Sequence, residues 1–139
     1  MKELKERIEA MTPLNEQEWR LLINSGDAEL MQRYFEVRRM KTQLPVDAEI
    51  KLAKSGNVKM MKVYAGEFDF SEEAVFELIK TGNVDMIKAY LEENCFSADN
   101  ELEFVRLGNN ELIDFYYEIW GFFYPPAEDE LEKLRSKAK

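Results

Sequence analysis

Histidine is absent from the 139-residue sequence, and cysteine occurs once, at Cys95. The missing histidine removes the commonest general base near neutral pH and the commonest metal ligand. Because a single cysteine cannot form a disulfide within the chain, we expect Cys95 to be a small, buried or half-buried filler. The sequence also lacks a D-x-D-x-D-G calcium loop. These absences disfavour catalysis and metal binding, and we expect no cofactor.

Long apolar runs are missing as well. No run reaches the roughly 18 apolar residues of a membrane-spanning helix. The first residues, MKELKERIEAM, alternate charges, whereas a signal peptide has an apolar stretch before a cleavage site of small residues. Apolar residues still make up 45% of the chain and charged residues 34%, which suits one domain over residues 1–139 with a core of its own. We expect a cytoplasmic protein without a membrane span.

The sequence does contain a repeated segment. SGNVKMMKVY at 55–64 returns as TGNVDMIKAY at 81–90, and extending the alignment gives four units, at 14–43, 44–69, 70–95 and 96–123. The thirteenth residue of each unit is glycine, and a tyrosine follows eight residues later. These residues are Gly26, Gly56, Gly82 and Gly108, and Tyr34, Tyr64, Tyr90 and Tyr116. Repetition at this period is typical of arrays of short helices.

Each unit has the pattern of two helices joined by a turn. Its second residue, Asn15, Pro45, Ser71 or Ser97, suits a helix start. The glycine ends this first helix in the left-handed conformation, and the Asp or Asn after it caps the second helix. Apolar residues three to four positions before each tyrosine share its face and predict the core. Helices of about nine to eleven residues must stack on neighbours to be stable.

The pattern predicts an all-α chain, an α-solenoid of four two-helix repeats with terminal capping helices at 1–13 and 124–139. It resembles the αα-superhelical repeats of HEAT, armadillo and tetratricopeptide proteins. Its 26-residue unit is most similar to short two-helix repeats of uncharacterised bacterial proteins, being shorter than a tetratricopeptide or ankyrin repeat and lacking the ankyrin TPLH start. This resemblance implies a protein-interaction scaffold without catalytic residues.

The net charge of −9 arises in the second half of the array, where residues 70–95 carry 6 acidic against 2 basic residues and residues 96–123 carry 6 against 1. Nucleic acid is therefore not an expected partner, because phosphates are bound through Lys and Arg. Acids in the first turns of first helices, such as Glu72, Glu73 and Asp99, are explained by the helix dipole. On the second helices, five acids lie outside the apolar stripe, namely Asp85, Glu92, Glu111, Asp114 and Glu118. They form either a solvated face or a docking site for a basic protein or peptide.

The segment FYYEIWGFFYPP at 115–126 is unusually rich in aromatic residues. It is either a plug that covers the last unit or an exposed patch of Trp120, Phe122 and Phe123 that binds a partner or a second copy. The sequence thus favours a non-catalytic protein-protein interaction scaffold with an acidic surface on units three and four. The alternative is a structural subunit that forms a homo-oligomer through the aromatic C-terminal region.

Overall fold

The computed structural model describes residues 2–10, 13–37, 43–121 and 123–137. Within these ranges the chain forms ten α-helices and no strand. The helices are α1 (Lys2–Glu9), α2 (Glu16–Ser25), α3 (Ala28–Val37), α4 (Val46–Ser55), α5 (Val58–Ala65), α6 (Glu72–Thr81), α7 (Val84–Leu91), α8 (Ala98–Arg106), α9 (Asn110–Trp120) and α10 (Pro125–Lys137). None of these described helices has the length and apolarity that a membrane crossing requires.

The residue after each repeat glycine caps the second helix, which confirms the prediction. Its side-chain oxygen accepts the backbone N–H three residues further on, at 3.0 to 3.2 Å, in all four units, the acceptors being Asp27, Asn57, Asn83 and Asn109. The first helices of units one, three and four are capped in the same way by Asn15, Ser71 and Ser97. Pro45 makes no side-chain capping bond, which its missing hydroxyl and amide explain.

The glycine of each turn adopts the left-handed conformation, with φ between 63° and 74°. A residue with a Cβ is strained there, so glycine is the residue that the turn requires. At Gly26 the turn also contacts the next unit, because the Asn57 amide donates to the Gly26 carbonyl at 3.0 Å. The turns thus stop the first helices and, at this point, join two units.

The helices pack in two rows. Among the described residues, α2, α4, α6, α8 and α10 contact one another in that order, and α1, α3, α5, α7 and α9 form a second series of contacts. The first helices of the units therefore lie in one row and the second helices in the other. The terminal segments join these rows, α1 against α3 and α10 against α8, so each covers an apolar surface of a unit.

The core runs between the two rows and is centred on the four repeat tyrosines, all of which are buried. Phe70 and Phe96, the first residues of units three and four, lie between the tyrosines of units two to four. Together with Phe123 these rings form a continuous aromatic column, which consists of Tyr64, Phe70, Tyr90, Phe96, Tyr116 and Phe123. Successive ring centroids in this column are 4.5 to 6.0 Å apart, within the range of favourable aromatic contacts. The predicted tyrosine-centred core is therefore confirmed.

The prediction that Cys95 is buried or half-buried is wrong, since its side chain is exposed. Cys95 lies between α7 and α8, directly before Phe96, which is buried in the aromatic column. Neighbouring residues of an extended segment point to opposite sides, so burial of Phe96 turns Cys95 outward.

Gly82→Ala should lower the free energy of unfolding by about 1–2 kcal/mol, the cost of placing a Cβ in the left-handed conformation. At Gly82 no atom lies within 4 Å of the added Cβ, so the effect is conformational. Gly121→Ala makes the same change at a second left-handed glycine, with φ of 83° and no atom within 4 Å of the added Cβ, so it should cost a similar amount. Urea unfolding of the three proteins tests this prediction, and a loss well below about 1 kcal/mol for Gly82→Ala would contradict it.

Candidate functional site

Two carboxylates lie in the core, which is where a perturbed acid or base would first be sought. Glu49 is 0% exposed and Glu101 is 1% exposed. Each is the sixth residue of its unit and lies beside the repeat tyrosine of that unit. A carboxylate whose oxygens already accept hydrogen bonds within the fold has a structural role, whereas one with free oxygens could act as an acid or base.

Both oxygens of Glu49 accept hydrogen bonds. Oε2 accepts from the Tyr64 hydroxyl at 2.6 Å and from the Gln43 amide at 2.9 Å, while Oε1 accepts from the Ser71 backbone N–H at 2.9 Å. Ser71 caps α6, so the carboxylate joins unit two to the start of unit three. These bonds offset the cost of burying the charge.

Glu101 repeats this arrangement in unit four. It accepts from the Tyr116 hydroxyl and, through Oε1, from the Tyr124 backbone N–H at 2.6 Å, just before α10. Burial raises the pKa of Glu101 above its ordinary value of 4.5, although the bonds from Tyr116 and Tyr124 lower it. Because both buried carboxylates are engaged in joining consecutive helices, their geometry supports structural roles.

Sequence analysis missed these two carboxylates, although a signal was present. In units two and four a glutamate precedes the repeat tyrosine by fifteen residues, at a position where units one and three have Trp19 and Val75. A charged residue at an apolar position of a repeat indicates a buried partner, and the tyrosine hydroxyl is a polar group that recurs on the core face in every unit.

The five predicted acids of the second helices are all exposed and lie on α7, at its C-terminal end, and on α9. Lysines compensate two of them, with Lys88 2.8 Å from Glu111 and Lys62 4.0 Å from Glu92. No ion pair is present for the others, Asp85, Asp114 and Glu118, among the described residues. The structure thus places the five on neighbouring helices of one row.

A groove on the other row, between α6 and α8, brings together five acids, of which sequence analysis explained Glu72, Glu73 and Asp99 by the helix dipole. Its volume is about 670 Å³, within the range of ligand-binding clefts. Its described lining consists of five carboxylates and three apolar side chains, namely Glu72, Glu73, Glu77, Asp99 and Glu103 with Ile50, Phe76 and Leu102. We call this surface the α6–α8 groove.

Some carboxylates of the groove form ion pairs with Lys or Arg and others do not. Glu77 lies 3.5 Å from Lys54 and 3.6 Å from Lys80, and Glu103 lies 3.3 Å from Arg106. In the part of the chain that the structure describes, Glu73 and Asp99 have no ion pair. The groove acids without an ion pair thus lie in the first turns of α6 and α8, where the helix dipole offsets part of their charge.

The apolar residues of the groove form a row across three helices. Ile50, Phe76 and Leu102 are each the seventh residue of a unit, on α4, α6 and α8. All three are half-buried, but only Ile50 packs against the described core. Phe76 and Leu102 thus keep part of their apolar surface exposed, and the Lys80 ammonium lies 5.1 Å from the centre of the Phe76 ring.

The corresponding groove between α2 and α4 has a different character. Its volume is about 440 Å³, and Arg20 and Lys51 line it together with Glu16 and Asp47. Arg20 is the seventh residue of unit one, where the later units have an apolar side chain. The described lining of this groove thus contains two cations, whereas that of the α6–α8 groove contains none.

The aromatic C-terminal region is largely engaged within the chain. Phe123 is 3% exposed and stacks on Tyr116 with centroids 4.5 Å apart, so it does not belong to an exposed patch. Trp120 is half-buried, and its indole N–H donates to the Leu91 carbonyl at 3.0 Å. Phe122 lies outside the described residues. This arrangement favours the plug over the exposed patch.

The described residues contain no group of three or more acidic, cysteine or histidine side chains placed to hold a metal ion. Comparison with known proteins adds no assignment, since no protein-family model, curated protein or solved structure matches the chain.

Tyr64→Phe should destabilise the protein by about 1.5–3 kcal/mol more than Tyr90→Phe. Both hydroxyls accept a buried backbone N–H, from Leu44 and Phe70 respectively, but only Tyr64 also donates to a buried carboxylate. Urea unfolding measures the difference. Equal losses would show that the bond to Glu49 contributes nothing to stability.

The free energy of unfolding of the protein, minus that of its Glu101→Gln variant, should fall as pH rises. A carboxyl whose pKa is raised in the folded state contributes its full stability below the unfolded pKa, near 4.5, and loses it as pH passes through the folded pKa. Urea unfolding of both proteins at intervals between about pH 4 and 8 gives this difference. A difference that stays constant or rises with pH would contradict the prediction.

Proposed function

We propose that the chain is an αα-superhelical repeat protein that acts by binding, and that units three and four receive a basic surface of a partner protein. The two rows of helices support an α-solenoid, because each helix packs mainly on the helix two positions along the chain. Such an array buries its core between the rows and leaves the outer faces available for contacts.

The α6–α8 groove is the observation that carries this proposal. Acids that serve only solubility need neither a concave surface nor an apolar floor. In this groove Glu73 and Asp99, which have no described ion pair, lie beside the half-buried Phe76 and Leu102. A basic partner would therefore gain both charge complementarity and apolar burial there.

A role without catalysis agrees with the geometry of the core. The buried carboxylates Glu49 and Glu101 already accept hydrogen bonds on both oxygens, which supports structural roles for them. Self-association through the aromatic C-terminal region has less support, because Phe123 is buried and Trp120 is bonded to Leu91.

Removing charge from the groove should weaken binding of a basic polypeptide more than removing the same charge elsewhere. The test pair is Glu73→Gln with Asp99→Asn, and the matched control pair on the second helices is Asp85→Asn with Asp114→Asn. The probe is fluorescent polylysine, with anisotropy measured at about 50 and 300 mM salt, since added salt screens exposed charges. We expect the groove pair to weaken binding about 10-fold, which corresponds to about 1.4 kcal/mol, and the control pair to have a much smaller effect.

Equal effects of the two pairs would mean that polylysine senses only net charge, which would contradict a docking site in the groove. A larger effect of the control pair would move the site to the second-helix acids. Binding that is insensitive to salt would contradict the electrostatic basis of the proposal.

A further inference from the structure

A second surface pocket on the row of first helices carries charge of the opposite sign. It lies between α2 and α4, at their C-terminal ends, and has a volume of about 490 Å³. Its described lining contains no acidic residue, and its polar members are Asn24, Lys51, Lys54, Ser55 and Asn57. Ammonium groups only donate hydrogen bonds, and side-chain amides can donate them, so this lining suits an anion. We call this surface the Lys51–Lys54 pocket.

The two lysines of the pocket have little counter-charge. Lys51 is half-buried and has no ion pair among the described residues, and Lys54 follows three residues later on the same face of α4. Lys54 lies 3.5 Å from Glu77 on α6, but Glu77 also lies 3.6 Å from Lys80. Three ammonium groups therefore share one carboxylate. Like charges three positions apart on a helix repel, so an anion beside Lys51 and Lys54 would be stabilising.

Units three and four have an internal anion where unit two has Lys51. The eighth residue of these units is Glu77 or Glu103. Glu77 lies 3.6 Å from Lys80, and Glu103 lies 3.3 Å from Arg106, in each case a cation three residues later on the same helix. Unit two has the cation of this pair but not its carboxylate. An anion in the pocket would supply from outside what the later units supply from within the chain.

The surroundings of the pocket leave the lysines as its main charges. α4 ends and α5 begins at the Gly56–Asn57 turn, so the negative end of one helix dipole lies beside the positive end of the other. The first turn of α5 has Lys59 and no acid, whereas the other second helices have one each, namely Glu29, Asp85 and Glu111. Asp47, one turn before Lys51, lines the α2–α4 groove and forms no described ion pair with that lysine. The lysines therefore determine the sign of the charge at the pocket.

Asn57 adds a hydrogen-bond donor that is already held in place. Its side-chain oxygen accepts the Met60 backbone N–H at 3.0 Å, and its amide nitrogen donates to the Gly26 carbonyl at 3.0 Å. An amide nitrogen carries two N–H groups, and these bonds use one of them. The second N–H is therefore available to an anion in the pocket.

We infer that the Lys51–Lys54 pocket binds an oxyanion group of a ligand, a phosphate or a carboxylate, through the two ammonium groups and the amide of Asn57. Lysine commonly binds phosphate, and Glu77 already places a carboxylate beside Lys54. The pocket shares no described lining residue with the α6–α8 groove, so this inference does not depend on the proposed function.

Titration of the isotope-labelled chain with sodium phosphate or sodium acetate tests the site, with backbone amide shifts followed by NMR at constant pH. Sodium chloride at equal ionic strength is the reference, since it screens charge without supplying an oxyanion. We expect saturable shifts centred on Lys51, Lys54 and Asn57. Saturation with only one of the two oxyanions would support the site and identify its ligand. Shifts that do not saturate, or that chloride reproduces, would overturn the inference.

Lys51→Glu should weaken binding at least about 10-fold, the cost of losing one charge-assisted hydrogen bond. Glutamate is the residue of units three and four at this position, so the variant should fold, which its NMR spectrum checks. The matched control is Lys59→Glu, the same change of charge at an exposed residue of unit two outside the described lining. It should weaken binding only about 2-fold, because exposed charges are screened. Equal weakening by both variants would show that no specific site exists.

The reverse change, Glu77→Lys, should create a second site between α4 and α6. It gives unit three the lysine arrangement of unit two, with Lys54 and Lys80 close by and Asn83 at the place of Asn57. We expect additional saturable shifts at Lys80 and Asn83. A folded variant without these shifts would overturn the assignment of binding to the lysine at the eighth position. Should the variant unfold, the comparison of Lys51→Glu with Lys59→Glu still decides.

Discussion

The fold depends on the bond between the repeat tyrosine and the start of its own unit. In units two to four the tyrosine hydroxyl accepts the backbone N–H of the first residue of the unit, at 3.1 to 3.3 Å. A buried N–H without a partner is costly, so this bond fixes where the chain enters each first helix relative to the end of the second. Burial raises the pKa of the Tyr64 phenol, and the hydrogen bond to Glu49 raises it further. A tyrosine hydroxyl is neutral at physiological pH in any case, so it can donate as well as accept.

The sixth residue of the unit determines whether the tyrosine hydroxyl donates a hydrogen bond to a carboxylate. Glu49 and Glu101 accept it and carry the connection on to the next helix, at Ser71 and Tyr124. Unit three has Val75 instead, so Tyr90 supports its own unit without this link. The buried glutamates also do not contribute to the surface potential as exposed acids do. The acidic surfaces of units three and four are formed by the remaining acids, in the α6–α8 groove and on the second helices.

Positions that build the scaffold are separate from positions that shape its surface. The glycine, its capping neighbour and the tyrosine recur because a left-handed turn, an exposed N–H and a buried N–H each require a particular side chain. The fourth and seventh residues lie on the outer face of the first helix, where the fold makes no such demand. Arg20 and Phe76 can therefore occupy the same position of two units and give neighbouring grooves different chemistry.

The sequence by itself determined the helices, their caps, the turns and the tyrosine-centred core. Each of these depends on residues within about four positions of one another, or on the period of the apolar pattern, and both are visible in a single chain. Tertiary structure alone decided that Glu49 and Glu101 bind the next helix at Ser71 and Tyr124, that Cys95 is exposed, that Phe123 completes the aromatic column, and that first-helix acids of two units meet in one groove. These outcomes depend on contacts between helices that are distant in sequence, because a side chain is classed as buried, paired or exposed only by what the neighbouring unit places against it.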